Sequence, residues 1–418
     1  MIAWFSGKAW SPAISLAFAI GAIGIGAIWY ARAAYARHPE GIKNNGVMFG
    51  SLTRRGAAAW VLGVFLTGFY VCLYWFPEAL KGLIALFDPL SGLIRGRKAD
   101  QWFVYGSFYT MAVVFMGVKF MYKYRHNRYQ LIRTVSVMFF QLIFAYLIPA
   151  FMLMMNQPEF YFSYFWPLKY DYLFPGTVKY LTNHPGGLGV FLVFWGAVMS
   201  VIAVPVLTYF FGKRWYCSWV CGCGALAETA GDPFRALSDK SLQAWRIERW
   251  LVHGVLVFVV LTTLILWLNS WQKGGLLGAW SQGFSKTYGF LIGSIFSGVI
   301  GTGFYPILGN RVWCRFGCPQ AAILGLFQRF FSRFRITTNG GQCISCGNCS
   351  TYCEMGIDVK SYAQRGQDIV RASCVGCGIC SAVCPRGVLR LENGASDVGR
   401  RAVELRALHI TEKGVKLE

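Results

Sequence analysis

The sequence predicts an α-helical polytopic membrane protein with about seven transmembrane helices, followed by a small cysteine-rich α+β domain. Three observations predict it. Hydrophobic residues make up 55% of the 418 and the mean hydropathy is +0.44, more apolar content than one soluble core needs. Apolar runs of roughly 20 residues, the length that crosses a bilayer, recur seven times along the chain. Of the 14 cysteines, Cys72 stands alone and the others all lie after residue 216 in short clusters. Such spacing suits metal binding by reduced thiolates better than a disulfide framework.

The runs cover residues 12–30, 57–76, 102–121, 135–155, 187–211, 250–268 and 288–308. Lys8 before the first run and the stretch AIWYARAA after it raise the possibility of a cleaved signal peptide. The apolar stretch is longer than a usual signal core and basic charge follows it, so an uncleaved anchor is expected. Four organisational units follow: N-terminal transmembrane helices over 1–186, a second transmembrane region over 187–335, a cluster-binding domain over 336–392, and a polar tail over 393–418.

Forty Lys and Arg against 18 Asp and Glu leave a net charge of +22. In a soluble protein that excess would suggest nucleic acid, but here the positive-inside bias of membrane proteins accounts for it, and lipid rather than nucleic acid is the expected partner. The loops with Arg32, Arg37, Lys43, Arg54 and Arg55, with Lys123, Arg125, Arg128 and Arg133, and with Lys213, Arg214, Arg235, Lys240, Arg246 and Arg249 fall on one side. That side is expected to be cytoplasmic, in the cell inner membrane, with the N-terminus periplasmic. The loop with Lys81, Arg95, Arg97 and Lys98 breaks the pattern; residues 80–94 within it read as an interfacial helix. On the opposite side, EFYFSYFWPLKYDYLF at residues 159–174 crowds aromatic rings into one loop. An interfacial aromatic belt is its first reading, and a quinone-head pocket with Lys169 and Asp171 as polar groups is the second.

Beyond residue 335 two stretches repeat in register 31 residues apart, CISCGNCSTYCEMGI from Cys343 and CVGCGICSAVCPRGV from Cys374. Each has the spacing C-x2-C-x2-C-x3-C of bacterial two-cluster ferredoxins, in which the fourth cysteine of one motif serves the other cluster. By that rule Cys343, Cys346, Cys349 and Cys384 hold one [4Fe–4S] cluster, and Cys374, Cys377, Cys380 and Cys353 hold the second, in a two-cluster bacterial-ferredoxin-like α+β domain. Zinc also uses C-x2-C pairs, but it needs four ligands once, not four evenly spaced thiolates twice. Glu354 stands where the second motif has Pro385, a departure at the Cys353 turn.

Two spans end alike, in WYCSWVCGCGALAE from Trp215 and RVWCRFGCPQAAILGLF from Arg311. Each carries C-x3-C at the entry to a helix, where free N–H groups favour a thiolate, and Pro319 suits the first helical position. If the helices are neighbours, Cys217, Cys221, Cys314 and Cys318 form a four-thiolate site for a further cluster, another metal or dithiol chemistry. Cys223 is a fifth thiol and an alternative ligand to Cys221. Cys72 reads as a small buried hydrophobe. Of His38, His126, His184, His253 and His409, only His253 lies within a span, so no b-type haem is expected.

On these residues the sequence resembles the membrane polyferredoxins of the NosR, NapH and CcoG type, which carry C-x3-C-P at two helix ends followed by a two-cluster ferredoxin. The resemblance covers about residues 187–392. Pro319 fits it, whereas Gly222 replaces the first proline and Cys223 follows. The resemblance implies electron transfer between the quinone pool or membrane partners and other redox subunits, whether or not the chain itself oxidises quinol. A metal-reducing copper assembly factor of the CcoG kind is the alternative. No flavin-binding domain of the kind some relatives carry is expected before the first span.

Overall fold

The structure is a computed structural model that describes residues 11–36, 55–272, 278, 280–394, 408–411 and 414–417. Six helices among these residues are long and apolar enough to cross a membrane: α1 (Pro12–Tyr35), α2 (Ala57–Trp75), α3 (Gln101–Lys123), α4 (Arg128–Met154), α5 (Leu188–Phe211) and, after the short helix α6 (Gly222–Glu228), α7 (Leu242–Trp271). Four of them start at a side-chain cap, whereas α2 and α5 start at the glycines Gly56 and Gly187. Ser11 accepts from the Ile14 N–H with Pro12 in the first turn, Asp100 from Phe103, Asn127 from Gln130 and Ser241 from Ala244, each satisfying an amide that has no intrahelical partner. Within its most apolar window α3 is 44% buried and α1 only 11%, so α3 is the central post and α1 faces outward.

The seventh apolar run is not one uninterrupted helix. Helix α8 (Trp280–Tyr288) continues as a π-helix through Ile300, pauses at Phe304, and resumes over Tyr305–Leu308. Counting apolar length overlooks its glycines, which weaken a helix but allow close approach. A Cβ on Gly303 would fall 2.7 Å from Thr67 Oγ1 of α2. Residues 80–94 likewise form two helices, Lys81–Leu86 and Asp88–Arg95, with Pro89 in the first turn of the second.

Several charges read as topology signals have structural tasks instead. Arg95 is buried, pairs with Asp100 at 2.7 Å and lies over Phe103. Lys123, Arg133 and Arg235, from the predicted cytoplasmic loops, are also buried in ion pairs. Lys8, Arg37, His38, Lys43 and Arg54 lie outside the described residues.

The C-terminal region follows helix α9 (Pro319–Phe331). Strand β1 (Phe334–Thr338) begins just ahead of the expected boundary and pairs antiparallel with β2 (Leu389–Asn393), Phe334 opposite Asn393 and Thr338 opposite Leu389. The pair closes a loop that holds the duplicated motifs. Each motif ends in a one-turn helix, α10 (Asn348–Thr351) or α11 (Ile379–Ala382), preceded by a glycine at positive φ, Gly347 at 80° and Gly378 at 74°. Within the tail, β3 (Leu408–Thr411) and β4 (Gly414–Leu417) form a hairpin. One hydrophobic cluster runs from Tyr216, Cys217 and Cys221, just after the end of α5, to Phe334, Ile336, Cys374 and Cys380. The cysteine-rich region is thus fused to the helical region through a shared core.

Candidate iron–sulfur centres

The duplicated loops cross over as the spacing requires. One pocket is lined by Cys343, Cys346 and Cys349 together with Cys384, and a second by Cys374, Cys377 and Cys380 together with Cys353. The outer pocket reaches solvent, since Cys346 is exposed, whereas Cys374 and Cys380 are buried. Backbone amides point at sulfur: the Ile357 N–H lies 3.4 Å from Cys353 Sγ. Burial pushes the Cys374 thiol up to about 11, with the Gly376 N–H pulling the other way. Buried thiols of this kind ionise only against a compensating cation, which the iron of a cluster held in these pockets would supply.

The inner loop is held carbonyl by carbonyl. Gln328 Nε2 donates to Cys374 O at 2.7 Å, Ser218 Oγ to Val375 O at 2.7 Å, Tyr129 Oη to Gly376 O at 3.0 Å and Gln130 Nε2 to Cys377 O at 2.9 Å. Four consecutive acceptors are met by donors from three separate parts of the helical region, which fixes the register of the loop against it.

The paired C-x3-C cysteines converge at the same junction. Cys221 stands at the first position before α6 without a side-chain capping bond, whereas Cys318 caps α9, with Pro319 in the first turn and the Ala321 N–H 3.4 Å from Cys318 Sγ. All four of Cys217, Cys221, Cys314 and Cys318 are buried, and each lies within electrostatic reach of others in the set. Burial pushes the Cys217 thiol up to about 12, partly offset by Lys213. Cys221 is the exception: a hydrogen bond from the Cys223 thiol holds it down to about 7, against its own burial. Gly222 also acquires a physical reason. A Cβ there would fall on the Tyr164 hydroxyl oxygen and 2.6 Å from Gln141 Oε1, so the proline found in the resembling proteins does not fit this chain.

The spacing of the sulfurs bears on what they hold. With Zn–S near 2.3 Å, the sulfurs around one tetrahedral ion lie about 3.8 Å apart. Among the described residues, the group of potential ligand atoms all within 4.8 Å of one another is Glu228, Glu354 and Cys377; no three thiols form such a group. The Glu228 and Glu354 carboxylates are themselves taken by arginines.

That carboxylate pair belongs to a buried ionic network that sequence reasoning missed. Glu228 meets Arg133 at 2.6 Å, Arg235 at 2.8 Å and Arg311 at 2.8 Å. Glu354 meets Arg235 at 2.6 Å and Arg311 at 3.0 Å, and Asp232 meets Lys123 at 2.7 Å and Lys119 at 3.8 Å. Burial alone would raise the Glu228 carboxyl, but Arg133, Arg235 and Arg311 hold it well below its ordinary range. Five cations face three carboxylates, and one of the cations also reaches a cysteine: Arg311 Nη1 lies 3.7 Å from Cys314 Sγ. Glu354, the departure from Pro385, is an anchor that ties the Cys353 turn to Arg235 and Arg311. The clue available in the sequence was an acid, Glu228, closing the otherwise apolar run CGCGALAE. Cys72 is half-buried on α2, and His253 Nδ1 lies 2.6 Å from the Arg249 carbonyl oxygen.

A pair of crossed four-cysteine pockets fused to a second, convergent cysteine set defines a ferredoxin-type iron–sulfur protein. The 4Fe-4S dicluster domain family matches residues 342–389, and the 4Fe-4S binding domain family matches residues 191–241 and 289–337, the two regions that hold the C-x3-C pairs. The chain is 28% identical over 166 residues to the methylamine utilization ferredoxin-type protein MauN of Paracoccus denitrificans, which covers 38% of this chain and 54% of that protein. It is 25% identical over 187 residues to the putative electron transport protein YccM of Escherichia coli (40% and 48%), and 26% identical over 163 residues to the ferredoxin-type protein NapH of Haemophilus influenzae (38% and 52%). These matches bear out the resemblance to the NapH type of ferredoxin-type protein. The chain spans about half the length of the curated relatives it matches. No solved structure matches it.

Proposed function

We propose that this protein relays single electrons between the quinone pool or a membrane partner and another redox protein, through iron–sulfur clusters stacked from the membrane edge outward. The observation that carries the reading is the single hydrophobic core in which the membrane-edge cysteines Cys217 and Cys221 and the inner-loop cysteines Cys374 and Cys380 pack together, with the outer set ending at exposed Cys346. In this reading Cys374, Cys377, Cys380 and Cys353 hold the inner [4Fe–4S] cluster, and Cys343, Cys346, Cys349 and Cys384 hold the outer one. A third cluster occupies Cys217, Cys221, Cys314 and Cys318, supported by the 4Fe-4S binding domain matches over both pairs and by the burial of all four thiols within reach of one another. When bound, each cluster supplies a one-electron carrier.

The chain's own residues do the rest. Arg311 and its neighbours supply positive charge that favours the reduced, more anionic state. Gln328, Ser218, Tyr129 and Gln130 fix the inner loop so that the gap between carriers does not change. The protein sits in the cell inner membrane with the cluster domain cytoplasmic, the run over 288–308 completing a seventh span.

The test is to add decylubiquinol to the anaerobically purified chain in lipid nanodiscs and follow bleaching of the cluster absorption. Bleaching is expected. Absence of bleaching, with stoichiometric reduction of Cu(II) at the C-x3-C cysteines instead, would favour the copper assembly factor.

A further inference from the structure

A cavity of about 690 Å³ runs from the aromatic loop, at Glu159 and Tyr161, to the C-x3-C region, at Cys223 and Trp313. Its size falls within the range of small-molecule sites. The aromatic loop is not merely a belt, because Phe160, Phe165 and Tyr172 are buried beneath it, while Tyr161 and Tyr164 turn toward the cavity wall. Three of the five described π-helical segments contribute to the lining: Phe140–Leu147 through Gln141, Gly289–Ile300 through Ile292, and Trp313–Gly317 through Trp313. Wide turns of this kind recur where a helix is bent to serve a site.

At the inner end two polar groups stand without a partner. Gln141 is 4% exposed, and its Oε1 has no hydrogen bond although its Nε2 donates to Thr110; Trp313 is 7% exposed, and its Nε1–H has no acceptor. Buried polar atoms are nearly always satisfied, so one lone acceptor and one lone donor on the lining of one cavity point to a ligand that completes both. Gly222 keeps the place open, since any Cβ there would collide with Tyr164 and press on Gln141 Oε1.

We infer that this cavity is a binding site for the head group of a quinone-class carrier, a flat ring bearing opposed oxygens. In the hydroquinone form a hydroxyl donates to Gln141 Oε1; in the quinone form a carbonyl accepts from Trp313 Nε1. Tyrosine rings wall the flat faces, and the Tyr161 hydroxyl, bonded to Glu159 at 2.6 Å, stands at the outer end. Cys223, hydrogen-bonded to Cys221, places the ring beside the membrane-edge thiols. The inference deepens the electron-relay reading and rests on it for the choice of a redox ligand.

The experiment titrates decylubiquinone into the full chain in lipid nanodiscs and reads quenching of tryptophan fluorescence, with binding of menadione as a second probe. Saturable binding is expected. Gln141→Leu and Gly222→Ala, each retaining the wild-type cluster absorption, should weaken it about tenfold or more, as should Trp313→Phe read by competition. Absence of saturable binding to the wild type, or wild-type affinity in all three variants, would overturn the site. If hydroquinone still reduces the clusters in that case, the relay reading stands without this cavity. If quinone binds as expected but hydroquinone leaves the clusters oxidised, the site stands and the relay reading fails.

Discussion

Arg311→Met tests the proposed link between the ionic network and the membrane-edge thiolates. Arg311 is fully buried and contacts Glu228, Glu354, the Cys217 carbonyl and Cys314 Sγ. Methionine fills similar volume without charge, leaving two buried carboxylates with one cation fewer. Removing one partner of a buried ion pair costs about 3–5 kcal/mol, a large part of the 5–15 kcal/mol that typically holds a domain folded. The electronic effect can be sized separately. At 3.7 Å and an effective dielectric near 20, a full unit charge on the sulfur would gain about 4.5 kcal/mol from the guanidinium. An added electron spreads over a cluster and its four thiolates, so about a quarter of that applies, roughly 1 kcal/mol or about 50 mV. Losing the cation makes reduction harder, so the midpoint potential falls. The assay is an EPR-monitored redox titration of the cluster signal that Cys314→Ser removes, with Arg311→Lys as the charge-retaining control. A potential that stays put or rises in Arg311→Met, while Arg311→Lys behaves the same, would refute the electrostatic reasoning.

Three further outcomes follow from the same geometry. Asp232→Asn leaves Lys119 and Lys123 without their carboxylate and should cost about 3 kcal/mol, visible as a lower thermal midpoint, with partial recovery in Asp232→Asn/Lys123→Met; full additivity of the two changes would contradict the pairing. Gln328→Ala removes donors to Arg371 O and Cys374 O and the acceptor of the Lys213 N–H, so it should cost about 2–3 kcal/mol and raise amide exchange over residues 371–377, whereas unchanged exchange would show that the loop is held otherwise. Cys346→Ser should disturb the outer cluster alone, leaving the inner signal reducible by dithionite while transfer to an external acceptor is lost. Loss of both cluster signals together would argue against separate ligand sets.

What could be read in the sequence was whatever is written at short range. The cysteine spacing carried the lining of the crossed pockets, because loop length decides which cysteines of a repeated motif come together. The helix starts at Cys221 and Cys318 were legible because a helix start has local chemistry. The ionic network was not, because Arg133, Glu228, Arg311 and Glu354 come from four distant segments and meet only in three dimensions. Glu354 was visible as a departure from Pro385, but its purpose depended on Arg235 and Arg311 across the fold. Gln141 hides inside an apolar run, where hydropathy averages over a single polar atom, and nothing in the motif around Cys314 shows that the neighbouring Trp313 N–H lacks an acceptor. The positive-inside argument drew on Lys123, Arg133 and Arg235, which the structure buries in ion pairs, and so overcounted loop charge. The seventh run failed as one helix because apolar length takes no account of glycines packed against α2.

The proposed relay rests on anionic sulfur bound to iron at three places in succession, from the C-x3-C cysteines outward. Its most direct test is iron and acid-labile sulfide counting with low-temperature EPR on the anaerobically purified chain, beside Cys314→Ser. About twelve iron and twelve sulfide per chain are expected, falling by about four of each in the variant with loss of one EPR signal. A count of about eight in both proteins, with identical spectra, would contradict it.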